Sequence, residues 1–284
     1  MGTKTYNYFQ ASDGTLIPYK IKGKGNAIVF IHGLFGKADD FNQSIDIISK
    51  NHLCITYDQR GHGKSEAGSG FSVERFSQDL KEIIEYLSLD NVVLVGYSLG
   101  AFIIFDYVWR FGCKYLKKII LVDITPKLVN DSFWKHGLYR GEYINENLEI
   151  DLKMINDNYM KFASYFTYRN MTKYSGKSLS SKPSLLSKII TQLLIKNTIK
   201  NRKITFDLWK DMAFKDYRET LKKFEVPTAI FYADPGSLFS PLTATFMEEK
   251  IGKNAIIVPF SNASHALVFS HTSQFTEEVI SFVK

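Results

Sequence analysis

Seven short runs rich in β-branched residues, at 15–21, 26–31, 53–57, 91–95, 118–123, 228–233 and 255–258, constrain this chain more than any other feature. Most are continuously apolar, without alternation of polar and apolar positions. Strands of that kind are covered on both faces, as in a mostly parallel sheet with helices above and below it. Segments of helical period lie between them, at 71–87, 98–111, 240–251 and 271–283. The first is the clearest: Phe76, Leu80, Ile83, Ile84 and Leu87 form one stripe, and Ser72 stands where an N-cap is needed. Strand and helix in alternation predict a doubly wound α/β fold.

One stretch breaks the alternation. From 126 to 222 no strand-plus-turn pattern recurs, and the segment reads as several helices with loops. A structureless loop of that length would be exceptional in a compact domain. The expected organisation is therefore a core domain of residues 1–125 and 223–284 carrying a helical insertion, 126–222. Residues 175–187 are the most loop-like part of it.

Several classes can be set aside. No apolar run reaches the roughly 18 residues of a membrane-spanning helix, so no stable membrane insertion is expected. The start, Met1-Gly2-Thr3-Lys4-Thr5-Tyr6, lacks the apolar centre of a signal peptide. Tyr6 also occupies the position where a myristoylation pattern requires Ser or Thr. Cys54 and Cys113 are too few for a zinc site or a disulfide framework. The expectation is a cytoplasmic protein with reduced thiols, no metal and no other cofactor.

The chemistry concentrates in Gly96-Tyr97-Ser98-Leu99-Gly100, which follows an apolar strand and opens a helix. This is the G-x-S-x-G nucleophile elbow in the strand–turn–helix context it requires. Its glycines let neighbouring backbone pass close to a strained turn, which lifts the serine hydroxyl to the helix N-terminus. There the free N–H of Leu99 and the helix dipole favour a developing oxyanion.

With these residues the chain resembles an α/β-hydrolase with a helical cap, over nearly its whole length. The resemblance implies an eight-stranded, mostly parallel sheet flanked by helices, with the cap inserted after the sixth strand. Ile31-His32-Gly33-Leu34-Phe35-Gly36 resembles the family's oxyanion-hole loop and implies the N–H of Leu34 as the second donor beside Leu99. The segment Tyr57-Asp58-Gln59-Arg60-Gly61-His62-Gly63-Lys64-Ser65 is similar to the loop after the next strand, where Asp58 and Arg60 are implied to be structural.

The general base must come from six histidines: His32, His52, His62, His136, His265 and His271. A triad needs it on a loop at the carboxyl edge of the sheet, after the acid in chain order. His265 has that position, between the last strand and the last helix. The acid has two candidates. Asp234 follows strand 228–233, but Gly236 occupies the slot where many relatives carry Asp. The local Pro-Gly instead resembles the haloalkane dehalogenase and Renilla luciferase branch, in which the acid follows the preceding strand. Here that position is Asp123, which is preferred, with Asp234 as the alternative. In either place the carboxylate would hold the imidazole tautomer and stabilise imidazolium.

The dehalogenases of that branch use an aspartate nucleophile, whereas Ser98 suits acyl transfer. The leading expectation is a serine hydrolase, most simply a carboxylesterase, acting on a small to medium apolar ester, lactone or thioester. Phe35, Tyr97, Phe133, Trp134 and Leu238 are candidate pocket walls, although a helical cap also needs aromatics for its own core. A C–C bond hydrolase or perhydrolase on the same triad is the second reading. A non-catalytic ligand-binding protein on the same scaffold is the third, because fold alone does not fix function.

The net charge of +7 raises the question of nucleic acid. Its location answers it: residues 126–222 hold 18 basic and 10 acidic residues, and 161–203 hold ten basic residues with no acid. These charges alternate with apolar residues, as at 185–196, which is the pattern of solvated helix faces, and no nucleic-acid motif accompanies them. A sharper alternative is that the insertion's potential steers anionic substrates or touches anionic lipid. The partner expected is a small ester-type molecule.

Overall fold

The strands β3 (Ala27–Ile31) and β5 (Val92–Tyr97) are buried at every position, which is why their sequences show no alternation. Their side chains nevertheless point two ways. Ile28, Phe30, Val93 and Val95 face one core, shared with Ile45 and Val279, and Val29, Ile31 and Leu94 face another, shared with Leu80 and Phe102. The sheet is thus packed on both faces.

The computed structural model describes residues 6–172, 202–236 and 238–284. The remaining strands are β1 (Asn7–Gln10), β2 (Leu16–Lys22), β4 (Leu53–Tyr57), β6 (Leu116–Val122), β7 (Thr228–Pro235) and β8 (Ala255–Ala263). They form one eight-stranded sheet in the order β1-β2-β4-β3-β5-β6-β7-β8. β2 runs antiparallel to β1 and β4, and every pairing from β4 to β8 is parallel. The helices are α1 (Asn42–Ile48), α2 (Val73–Tyr86), α3 (Leu99–Phe111), α4 (Asn145–Asp157), α5 (Tyr159–Met171), α6 (Arg202–Phe214), α7 (Pro241–Ile251), α8 (Leu267–Ser270) and α9 (Thr272–Val283). Ser72 caps α2 as its position predicts, accepting the Arg75 N–H at 3.2 Å.

Besides the single turn of α8, two elements carry no pattern in the sequence. In β1 only Phe9 is buried, so an edge strand of four residues shows no apolar run. Helix α1 is seven residues long, too short for a helical period to stand out.

Between β6 and β7 the chain leaves the sheet, and α4, α5 and α6 lie in that insertion. Their aromatics largely pack on one another: the Trp209 ring stands 5.5 Å from Phe162 and 5.1 Å from Phe166. Trp209 Nε1 donates to the Tyr143 hydroxyl at 2.9 Å, which donates in turn to Asp151 at 2.8 Å. The loop-like segment 175–187, the pattern at 185–196 and most of the basic run lie outside the described residues. Of its described cations, Lys203 pairs with Asp207 and the Arg169 guanidinium stands 3.9 Å from the Tyr139 ring centre. Among the described residues no helix is long and apolar enough to cross a membrane. Both cysteines are free thiols and buried.

Candidate active site

Parallel strands deliver their carboxyl ends to one edge, and there the predicted residues gather. Ser98 follows β5 with φ 54° and ψ −115°, a strained turn into α3. Its N–H donates to Val122 O at 2.9 Å, and its carbonyl accepts the N–H groups of Ala101 and Phe102 at 2.9 and 3.0 Å. The turn is possible because Gly100 has no Cβ, which would stand 2.1 Å from Ile31 O at the end of β3. Phe35 and Asp123 share the positive φ, at 65° and 45°. Three residues of this edge thus share the strained left-handed backbone region.

Asp123 follows β6, and its side chain is oriented at both oxygens. One accepts the Ala233 N–H at 3.0 Å, and the other meets His265 Nδ1 at 2.6 Å. Both residues are buried. The imidazole lies between the Tyr97 and Phe239 rings, 5.2 and 5.7 Å away, while the Tyr97 hydroxyl donates to His265 O at 3.0 Å. Asp234 is in β7, paired in register with Ser261, and its carboxylate makes no ion pair among the described residues. Of the two candidate acids, Asp123 is thus the one bonded to His265.

The loop after β3 passes close to the nucleophile: a Cβ on Gly33 would stand 3.3 Å from Ser98 Cβ. The N–H groups of Leu34 and Leu99 make no hydrogen bond among the described residues. The orientation of the Leu34 N–H has a local cause, and it involves a histidine that the sequence reading set aside. The Gln59 N–H donates to His32 Nε2 at 3.1 Å, which leaves the ring proton on Nδ1. His32 Nδ1 then donates to Gly33 O at 2.8 Å, and the Gly36 N–H donates to the same oxygen at 3.0 Å. Because the peptide is planar and trans, fixing the Gly33 carbonyl on one side turns the Leu34 N–H to the other. Burial pushes His32 down to about 4, so the ring stays neutral and keeps this tautomer at neutral pH. The only signal in the sequence was its place next to Gly33.

Asp58 and Arg60 hold the neighbouring loop. Asp58 accepts the N–H groups of Ala38 and Lys64 at 2.7 and 2.8 Å. Arg60, fully buried, forms a two-point pair with Asp79 at 2.6 and 2.7 Å and reaches Asp13 at 2.9 Å. His62 is buried against His32 and is pushed down to about 3, chiefly by desolvation.

A cavity of about 350 Å³ opens beside this loop. Leu34, Phe35, Tyr97, Ala266, Met171 and Phe269 form its apolar walls, and Lys37, Asp40, Thr167 and Asn170 bring polar groups to it. Of the predicted walls, Phe35 and Tyr97 therefore line it. Phe35 also touches the insertion, 6.0 Å from the Phe166 ring, and the Ala266 N–H donates to Asn170 O at 3.2 Å. The other predicted walls stand elsewhere. Phe133 is 90% exposed. Trp134 packs against Phe246 at 4.8 Å because its indole N–H is taken by Lys127 O, and Leu238 is buried but does not line the cavity. Among the described residues no group of three or more His, Cys, Asp or Glu could hold a metal ion.

Comparison with known proteins agrees with this architecture. The family model of the alpha/beta hydrolase fold matches residues 26–272. The chain is 24% identical over 281 residues to a non-heme haloperoxidase of Rhodococcus erythropolis, covering 98% of this chain and 99% of that one. It is 22% identical over 282 residues to a bifunctional esterase/perhydrolase of Acinetobacter calcoaceticus, covering 98% and 99%. Among solved structures, an esterase from Exiguobacterium antarcticum superposes with a TM-score of 0.84 at 23% identity, over 100% of this chain and 99% of that one. With strand order, elbow and family match in agreement, the chain belongs to the α/β-hydrolase fold family.

Proposed function

We propose that this protein is a serine hydrolase that cleaves a carboxylic ester, lactone or thioester of small to medium size through an acyl-enzyme. The observation that carries this reading is the 2.6 Å bond between Asp123 and His265 Nδ1 at the edge where Ser98 sits on its strained turn. In a triad, a carboxylate at Nδ1 fixes the tautomer in which Nε2 is the nitrogen that takes the serine proton. Ser98 Oγ then attacks the substrate carbonyl carbon while its proton passes to His265. The negative charge arriving on the carbonyl oxygen is met by the Leu34 and Leu99 N–H groups, each such donor being worth about 10²–10³ in rate. Imidazolium returns the proton to the leaving alcohol or thiol as the C–O or C–S bond breaks. Water, deprotonated by His265, attacks the acyl-enzyme and restores Ser98.

In this reading residues 126–222 act as a cap. Their contacts with Phe35 and Ala266 support that role, and the largely apolar cavity supports an acyl or alcohol group of modest size.

A second reading, perhydrolysis, is favoured by the relatives named haloperoxidase and esterase/perhydrolase. There hydrogen peroxide replaces water at the acyl-enzyme, and the product is a peracid. Steady-state kinetics with p-nitrophenyl esters, with the same acyl donors plus peroxide, and with a vinylogous 1,5-diketone separate the possibilities. Hydrolysis of the esters with little peracid is expected. Cleavage of the diketone with inert esters would overturn the ester reading.

A further inference from the structure

The cavity beside the oxyanion loop is more polar than an alkyl-binding pocket requires. Asp40 Oδ2 accepts the Lys37 N–H at 3.0 Å, which accounts for one carboxylate oxygen as the cap of the short turn at Ala38–Phe41. The other oxygen makes no hydrogen bond among the described residues. Among the described residues the Lys37 ammonium makes no ion pair and the buried Asn170 Oδ1 has no hydrogen-bond partner. Three polar groups with unfilled capacity thus share one cavity of about 350 Å³ with an apolar wall.

Capping alone does not explain Asp40. Asn or Ser would cap the turn without placing a carboxylate where burial pushes it up to about 6. A desolvated carboxylate beside a cavity is stabilised by a donor; the Lys37 charge acts on Asp40, but among the described residues it forms no ion pair with it. The charges narrow the donor's class. A cationic ligand would meet Lys37, an anionic one would meet Asp40, and an alkyl group would leave all three polar groups unsatisfied. A hydroxyl fits each of them: its hydrogen goes to Asp40 or to Asn170 Oδ1, and its oxygen accepts from the Lys37 ammonium.

We infer that this cavity selects esters whose acyl or alcohol part is neutral and bears a hydroxyl, with Asp40 as the residue that determines the preference. The inference rests on the ester-hydrolase reading above and names the substrate class of that site.

Matched pairs test it at pH 8, where Asp40 is ionised. The acyl side compares p-nitrophenyl 3-hydroxybutyrate with p-nitrophenyl butyrate, and the alcohol side compares glyceryl monobutyrate with propyl butyrate. A choline ester and a succinate monoester serve as charged controls. In one of the two pairs wild type should favour the hydroxylated member by about 10-fold in kcat/KM, because an unfilled polar site penalises the analogue that lacks its partner. Asp40→Asn keeps the cap acceptor and should shrink that ratio to about 3-fold or less. Asp40→Leu should reverse it.

Four results overturn the inference: no preference in either pair, a preference for the alkyl members, a ratio untouched by both substitutions, or a choline or succinate ester preferred over every hydroxylated one. Turnover without preference removes this inference alone. If no ester is turned over and Ser98 does not react with a fluorophosphonate, the ester-hydrolase reading falls, and this inference falls with it.

Discussion

His32 is buried and does not line the cavity, yet its bond to Gly33 O turns the Leu34 N–H the other way. His32→Ala should therefore lower kcat by about 10–100-fold, a part of what a lost oxyanion donor costs, while KM changes little. His32→Asn, whose amide N–H can replace Nδ1, should recover much of the loss. Equal damage from both variants, or damage mainly in KM, would contradict a positioning role. Asp123 makes a sharper case at the same scale. Asp123→Asn retains the shape but removes the charge that fixes the His265 tautomer, and comparable substitutions cost about 10⁴ in kcat. Asp234→Asn should cost less than about 10-fold, since its carboxylate makes no ion pair among the described residues. Reversed magnitudes in steady-state kinetics would make Asp234 the acid. The sequence made Ser98 and His265 legible because each stands in a motif or at a fixed place between elements. It left the acid open because a carboxylate after β6 and one after β7 both reach the same edge. Asp40 was not legible at all: nothing about an aspartate in a short turn reveals that it lines a cavity.

The loop after β4 shows the same physics in a whole element. Arg60 and Asp79 are 0% and 2% exposed at their side chains, so removing one partner strands a buried charge. Arg60→Met should lower stability by about 3–5 kcal/mol, read as a fall in Tm and in denaturant midpoint. An unchanged midpoint would show the pair to be dispensable. The histidines packed in this region set a pH dependence. His32 and His62 are pushed down to about 4 and about 3 by burial, whereas an unfolded histidine titrates near 6.5. Below pH 6.5 the unfolded chain binds these protons first. Their contribution is therefore complete above pH 6.5 and is lost as pH falls through about 4. Asp40 and Asp151, pushed up to about 6, oppose that trend, so the informative quantity is a difference between proteins. Between pH 7 and pH 4.5 wild type should lose more Tm than His62→Asn; parallel losses would remove His62 as a cause. The strands were legible wherever both faces are buried, as in β3 and β5. β1 and α1 were not, because four and seven residues are too few to carry a periodic pattern.

Across the whole molecule, the helical insertion between β6 and β7 was visible as a break in the strand rhythm, but its partition between packing and pocket was not. Phe162, Phe166 and Trp209 form the insertion's own core, and Trp134 is spent against Phe246. Which aromatic reaches a cavity depends on how helices distant in sequence approach the oxyanion loop, and no local pattern encodes that. Relatives named as haloperoxidase and as esterase/perhydrolase share the architecture at 24% and 22% identity, so the architecture alone leaves the acyl acceptor unspecified. What all these readings require is one nucleophile. Wild type and Ser98→Ala should be incubated with a fluorophosphonate, and the adduct located by peptide mass spectrometry. Stoichiometric labelling on the peptide containing Ser98, absent from the variant and accompanied by a loss on the order of 10⁶ in ester-hydrolysis kcat, is the expected result. Equal labelling of both proteins, or a variant that hydrolyses esters as wild type does, would contradict serine catalysis at this site.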